Sequence, residues 1–296
     1  MTTPTGAVPS PHPRPFLLVQ TRPEDDAAAA EVEAVQRLGG YPEGRLRVLR
    51  LDRVVQRPDV ATHGLDWEAE LADVAAVILP GSPFTGSDPE ETKSPVQRAV
   101  EAELGRMLDV VRRRDLPFLG CCYGVGTLGR HAGGVVDNAY GESAAPVEVT
   151  LTDEGVADPV LAGVPRTFAA YVGHKEAMSA LPPGAVLLAA GADCPVQMFR
   201  LGTRQYATQF HPSWTRPVSS SALRSTASTG TSPRASTSPR WRGWPPSTPS
   251  TPAGSWRTSA RCSAEPRGPP RSVAAWTRTA PPLPCPGSTA PPCAPP

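Results

Sequence analysis

Two continuous apolar runs, separated by a long helical pattern, constrain the fold of this chain more than any other feature. The runs are Val74–Pro80 (VAAVILP) and Pro117–Cys121 (PFLGC), and apolar residues at helical spacing connect them from about Ser94 to Arg114. Unbroken apolar runs of this length are typical of strands buried on both faces, as in parallel sheets. The sequence therefore predicts an α/β fold, a doubly wound, mostly parallel sheet sandwiched by helices.

Shorter patterns on either side of these runs agree with this fold class. Phe16–Thr21 is apolar like a strand, Asp25–Leu38 has helical spacing, and Arg45–Leu51 alternates like a strand. After Gly133-Gly134 the patterns shorten to further predicted strands at 147–151, 168–172, 185–189, 196–199 and 205–210. We therefore expect strands and helices to alternate in the first half of the folded region and short strands to dominate the second.

The composition changes abruptly at Ser213. Residues 213–296 contain 18 Pro, 16 Ser and ten Arg but a single acidic residue, Glu265, so their formal charge is +9 against −8 for residues 1–212. So few apolar side chains cannot offset the entropy lost when the backbone is ordered. We expect a disordered leader at residues 1–14, a folded domain at 15–212 and a disordered tail at 213–296.

Composition also limits where the chain works and what it binds. No apolar run approaches the ~20 residues that span a bilayer, and the six cysteines fit no zinc-binding spacing. We therefore expect a reducing, cytoplasmic setting, with no membrane association and no metal or cofactor. The basic tail is compatible with nucleic acid, but the acidic domain gives no such indication, so no nucleic-acid partner is expected.

The segment Gly120-Cys121-Cys122-Tyr123-Gly124 directly follows the second apolar run. A G-x-C-x-G sequence between a strand and a helix is the thiol form of the nucleophile elbow. The N-terminus of the following helix would face the sulfur and favour thiolate. We predict Cys122 to be a nucleophile with a lowered pKa and Cys121 to be a buried residue of the strand. The alternative is a tight turn that needs only small residues.

A predicted strand also runs into His211 and stops at Pro212 (QFHP, 209–212). Open α/β sheets place their sites at strand ends. A single histidine is more often structural than catalytic, but a candidate nucleophile 89 residues earlier favours a general base. We therefore predict that His211 is the base for Cys122.

In this order the motifs resemble the class I (triad-type) glutamine amidotransferases, in particular free-standing, GMP-synthase-like ones. The resemblance covers residues 15–212 and rests on PGSP (80–83), PFLGCCYG (117–124), GGVV (133–136), YGE (140–142), GHKE (173–176) and QFHP (209–212). It implies a flavodoxin-like sheet and hydrolysis of the glutamine side-chain amide through a thioester on Cys122. It also implies that ammonia passes to an unknown acceptor, and the expected partner is a synthetase or acceptor subunit.

The resemblance also implies roles for other residues. Backbone N–H groups of Tyr123 and of the Gly81-Ser82 turn would form the oxyanion hole. The ends of the substrate would be held by Gly133, Gly134, Val135 and His174. For His174, orienting a loop is an equal alternative.

This chain departs from the family at two positions. At Gly126 the family usually has Gln or a similar polar residue, so another γ-glutamyl amide becomes a possible substrate. At Ser213 the family has a Glu that orients the histidine. The alternatives are a γ-glutamyl hydrolase acting on another amide and a degenerate, non-catalytic subunit. The sequence has no SGGxDS motif of an ATP-pyrophosphatase, so acceptor amination is expected to need a partner.

The tail itself suggests a change of reading frame. The codons of Trp214-Thr215 contain TGGAC, and moving the frame back by one base there reads Asp. The shifted frame permits His-Pro-Glu-Leu-Asp, which restores the missing acid directly after Pro212. We therefore hypothesise a frameshift at this point. The alternative is a genuine basic, disordered extension that contacts nucleic acid.

Overall fold

The computed structural model describes residues 14–39, 41 and 44–212. The expected tail, and the expected leader apart from Arg14, lie outside these residues. The strands in the described part are β1 (Phe16–Gln20), β2 (Leu46–Arg50), β3 (Ala76–Leu79), β4 (Phe118–Cys121), β5 (Val135–Asp137), β6 (Glu142–Leu151), β7 (Thr167–His174), β8 (Ala177–Ala180), β9 (Val186–Gly191), β10 (Met198–Leu201) and β11 (Gln205–Thr208). The α-helices are α1 (Asp25–Gly39), α2 (Leu51–Val54), α3 (Pro58–His63), α4 (Trp67–Glu70), α5 (Pro95–Arg113), α6 (Tyr123–His131) and α7 (Asp153–Ala157).

Nine strands form one sheet in the order β2-β1-β3-β4-β11-β10-β9-β6-β7. The pairings from β2 through β11 are parallel, and those from β11 through β7 are antiparallel. Strands β5 and β8 form a separate two-stranded ribbon. The predicted fold class is confirmed, because the two apolar runs form adjacent central strands, β3 and β4, of the parallel half.

The central strands of the sheet are buried on both faces, since every residue of β1, β3, β4 and β11 is buried. In β1, Leu17 and Val19 join one apolar core, while Phe16 and Leu18 join the other. Helices α5 and α6 pack in the first core and α1 in the second, as expected for a doubly wound sheet. Helix α5 contributes Val100, Leu104, Met107, Leu108 and Val111. Their spacing of three and four residues puts them on one face, and burying each stabilises the fold by about 1.5–3 kcal/mol.

Helix α5 begins as its sequence predicts. The Ser94 side chain accepts a hydrogen bond from the Gln97 N–H (3.1 Å), and Pro95 occupies the first turn. None of the described helices combines the length and apolar character needed to cross a membrane.

Candidate active site

Cys122 lies at the junction of β4 and α6, with backbone angles φ 53° and ψ −98°. This conformation is rare for a residue with a side chain. It places Cys122 just beyond the end of β4. The glycines two positions before and after it allow strand and helix to pack closely at this turn. A Cβ atom on Gly120 would lie 2.6 Å from the Gly124 carbonyl oxygen, and one on Gly124 would lie 2.6 Å from the Leu79 carbonyl oxygen. The structure therefore has the strand–turn–helix geometry predicted for an elbow.

The sheet brings His211 to the same edge. Strands β4 and β11 pair in parallel, with Thr208 opposite Cys121, and the Cys122 N–H donates to the Thr208 carbonyl (2.8 Å). Gly81 lies close to both predicted catalytic residues: a Cβ there would be 2.8 Å from His211 Cε1 and 3.8 Å from Cys122 Cβ. Three residues far apart in sequence, at 81, 122 and 211, therefore share one site.

The protonation states of this pair differ from the sequence-based prediction. Burial raises the pKa of Cys122 to about 12, and the Glu176 carboxylate acts in the same direction. Burial lowers the pKa of His211 to about 3. The prediction of a low-pKa thiol is therefore wrong for the resting chain, because burial outweighs the helix N-terminus. At neutral pH the pair is a thiol and a neutral imidazole, and the thiol donates to the Gly173 carbonyl (3.9 Å).

A cavity of about 670 Å³ opens beside Cys122, a size typical of small-molecule sites. Its walls come from residues 82–85, Cys122 and Tyr123, residues 138 and 141–144, residues 173–176, and Gln209. The predicted site residues Ser82, Cys122, Tyr123 and His174 are among them, whereas Gly81 and His211 lie behind this wall and are not.

Three predicted pocket residues lie elsewhere. Gly133 and Gly134 form the turn after α6, where the Gly134 N–H donates to the Gly129 carbonyl (2.8 Å). Val135 begins β5, pairs with Ala180 and is 52% exposed. None of the three is among the residues that line the cavity. In this conformation their role in holding the substrate stays a prediction.

His174 is held from both sides. Its Nε2 lies 2.8 Å from Glu142 Oε2, and its Nδ1 lies 3.0 Å from the Glu176 carbonyl. Glu142 also accepts from Gln197 (2.7 Å). The ligand atoms of Glu142, His174 and Cys194 lie within 4.8 Å of one another, so they could hold a metal ion. Such an ion would have to displace the His174–Glu142 hydrogen bond. The contacts favour a histidine that orients its loop.

The carboxylate of Glu176 is a further candidate functional group in the cavity wall, and no role was predicted for it from the sequence. Its carboxylate accepts from the Gly86 N–H (2.9 Å) and the Ser87 N–H (2.6 Å) and lines the cavity. A Cβ atom on Gly126 would lie 3.4 Å from Glu176 Oε1. Glu176 therefore occupies the space into which a side chain at position 126 would extend. Its place within the quoted GHKE motif was the available signal.

Comparisons with known proteins agree with this geometry. The chain is 30% identical over 144 residues to GMP synthase [glutamine-hydrolyzing] of Porphyromonas gingivalis, and the match covers 48% of this chain and 26% of that protein. It is 32% identical over 99 residues to a glutamine-hydrolyzing GMP synthase subunit of Thermococcus kodakarensis (33% and 51%). The chain thus spans about a quarter of the length of the first relative and half that of the second.

A crystal structure of a glutamine amidotransferase from Thermotoga maritima has the same fold. It superimposes with a TM-score of 0.53 at 18% identity and covers 72% of this chain and 80% of its own. The sequence model of Glutamine amidotransferase class-I matches residues 45–223, a stretch that includes Gly81, Cys122 and His211. With the elbow, the histidine and the cavity at one sheet edge, the chain belongs to the class-I glutamine amidotransferase family.

Proposed function

We propose that this chain hydrolyses the side-chain amide of glutamine, with Cys122 as the nucleophile and His211 as the base. One observation carries the proposal. The elbow holds Cys122 at the wall of a cavity of about 670 Å³, and Gly81 is close to both Cys122 and His211. The fold and the family membership support glutamine as the substrate.

The proposed reaction starts from the neutral pair. As the sulfur attacks the amide carbon, His211 takes the thiol proton, and the carbonyl oxygen becomes negatively charged. His211 then protonates the nitrogen, the carbon–nitrogen bond breaks, and ammonia leaves a γ-glutamyl thioester on Cys122. Water, deprotonated by His211, cleaves the thioester and releases glutamate. Backbone N–H groups of Tyr123 and the Gly81-Ser82 turn would stabilise the oxyanion. The Tyr123 N–H already faces the sulfur.

The setting and partners are also part of the proposal. The T. kodakarensis relative is by name one subunit of a glutamine-hydrolysing synthase, which supports transfer of ammonia to a separate synthetase or acceptor subunit. Cys121, Cys122 and Cys194 are free thiols, which supports a reducing, cytoplasmic setting.

We expect ammonia release from glutamine to require Cys122. The Cys122→Ala variant should lose hydrolysis because no sulfur remains to form the thioester, whereas the matched Cys121→Ala variant should keep it. Acid-quenched mass spectrometry should detect the γ-glutamyl adduct on Cys122. A glutamine-mimicking electrophile should label Cys122, and glutamine should slow this labelling by competing for the site. Hydrolysis that persists in Cys122→Ala would refute the proposal, and turnover of a different γ-glutamyl amide alone would favour the hydrolase alternative.

Glu176 is proposed to bind the ammonium group of the substrate. It is a carboxylate on the cavity wall, and each of its oxygens keeps a lone pair beyond the bonds from Gly86 and Ser87. Glu176→Gln should raise the KM for glutamine roughly 10–100-fold, because a charge-assisted hydrogen bond contributes about 1.5–3 kcal/mol.

A second measurement separates this role from a general loss of structure. The charge of Glu176 raises the pKa of Cys122, so Glu176→Gln should also speed alkylation of Cys122 by a small neutral reagent at pH 7. Glu148→Gln, an exposed substitution on β6, is the matched control and should change neither value. An unchanged KM in Glu176→Gln would rule out the ammonium contact.

A further inference from the structure

Arg22 is a buried arginine directly behind the proposed oxyanion turn. Its side chain is 8% exposed and forms an ion pair with Glu31 (Nη2–Oε1, 3.2 Å). The same Nη2 donates to the Gly81 carbonyl oxygen (3.1 Å). Gly81 is the residue that lies against both Cys122 and His211. The reaction proposed above gives Arg22 no role.

The bond to Gly81 determines where the next N–H points. In a trans peptide the C=O of one residue and the N–H of the following residue point in opposite directions. Because Arg22 holds the Gly81 C=O, the Ser82 N–H is directed away from Arg22. Ser82 lines the cavity together with Cys122. Within residues 14–39, 41 and 44–212, no backbone carbonyl accepts a hydrogen bond from the Ser82 N–H, which leaves this donor for a substrate oxygen.

The neighbours of Arg22 keep its guanidinium in place. Gln20, the last residue of β1, donates to Glu31 Oε2 (2.9 Å) and to the Ala28 carbonyl (2.8 Å), both in α1. These bonds hold the Glu31 carboxylate close to the end of β1. Glu31 is itself nearly buried, with 12% of its side chain exposed. Arg22 Nε is buried without a hydrogen-bond partner among the described residues. A buried polar group without a partner is costly. The guanidinium therefore accepts this cost at Nε in order to keep both contacts of Nη2.

We infer that Arg22 is a positioning residue: by holding the Gly81 carbonyl, it presents the Ser82 N–H to the oxyanion formed when Cys122 attacks. This inference rests on the proposed function. The positive charge of Arg22 acts on the reactive pair in opposite ways: it lowers the pKa of Cys122, which favours the thiolate, and it also lowers the pKa of His211, which disfavours the imidazolium. The inference therefore depends on the contact with Gly81 and not on this charge. Arg22 contacts the peptide and need not contact the substrate.

The test separates binding from chemistry in the full chain. The rate of thioester formation is measured by single-turnover mass spectrometry in the wild type, Arg22→Gln and Arg22→Lys. Glutamine affinity is measured by calorimetry with and without Arg22→Gln in the Cys122→Ala background. We expect Arg22→Gln to slow thioester formation about 100-fold, the effect of losing one oxyanion donor, with glutamine affinity unchanged. Arg22→Lys, which keeps an N–H donor, should recover part of the rate.

Two matched variants test whether the effect is only structural. Glu31→Gln removes the charge that helps to hold the Arg22 guanidinium but keeps Arg22 itself, so it should slow thioester formation less than Arg22→Gln does. Arg200→Gln breaks another partly buried ion pair, with Asp158 (3.0 Å), outside the cavity, and should form the thioester at nearly the wild-type rate. Wild-type rates in Arg22→Gln, or an equal loss in all three variants, would overturn the inference. Absence of any thioester in the wild type would instead overturn the proposed function.

Discussion

Restoring the reading frame after Pro212 should raise glutamine turnover by up to roughly 10⁴-fold, the cost of mispairing the histidine in a serine-protease triad. As written, the chain has Ser213 where the family has the Glu that orients His211. Burial lowers the pKa of His211 to about 3, so forming the imidazolium during attack on the amide is unfavourable. A carboxylate at position 213 would stabilise the protonated ring and offset that cost.

The comparison needs three proteins: the chain as written, Ser213→Glu and the frame-restored chain. Ser213→Glu supplies the acid alone and should recover part of the turnover. The restored chain is also expected to cover apolar surface with a final helix, so it should be more stable as well. Turnover and the midpoint of urea unfolding measure the two effects separately. If the chain as written matches the restored chain in both, residues 213–296 are a genuine part of this protein and the frameshift hypothesis is wrong.

Gly124→Ala should have the second largest effect. The new Cβ would lie 2.6 Å from the Leu79 carbonyl oxygen, which belongs to the backbone of β3 and cannot rotate away. Helix α6 would have to move away from the sheet and carry Cys122 with it. Overpacking of this kind costs about 1–3 kcal/mol in unfolding free energy, and a shift of about 1 Å at the nucleophile costs about 100-fold in kcat.

Gly105→Ala is the matched control for this substitution. Gly105 lies inside α5, and a Cβ there would meet nothing within 4 Å. The variant should gain about 0.5–1 kcal/mol, because alanine is the better helix former. The midpoint of urea unfolding should therefore fall in Gly124→Ala and rise in Gly105→Ala. Glutamine turnover should fall in Gly124→Ala only. Equal stability of Gly124→Ala and Gly105→Ala would contradict the close packing at the elbow.

The parts of the fold that depend on local pattern were predictable. The apolar runs at β3 and β4 and the periodic helix α5 carry strong signals because they are buried, and the structure confirms them. The short helices α2, α3, α4 and α7, and the ribbon of β5 and β8, were not predicted. Each of these four helices has four to six residues, too few to show a helical period. The ribbon depends on pairing between distant segments, which no local pattern reports.

The candidate site divides in the same way. Cys122 and His211 follow recognisable strand ends, and the parallel pairing of β4 with β11 brings them to one edge. The charge state of Cys122 was mispredicted, because it depends on burial by surrounding elements rather than on the helix that follows it. The roles proposed for Arg22 and Glu176 depend on contacts with segments 59 and about 90 residues away. The GHKE motif (173–176) marks the neighbourhood of Glu176 but not its contacts, and nothing in the sequence around Arg22 indicates the bond to Gly81.

The backbone of Cys122 carries a further consequence for the evolution of this chain. A residue with a side chain at φ 53° and ψ −98° costs of order 1–3 kcal/mol in folding free energy. Glycine would adopt the same angles without that cost. A descendant that kept only a binding or scaffolding role would therefore gain stability by drifting to glycine here. Selection for stability alone would therefore not keep cysteine at position 122. Selection for its chemistry would.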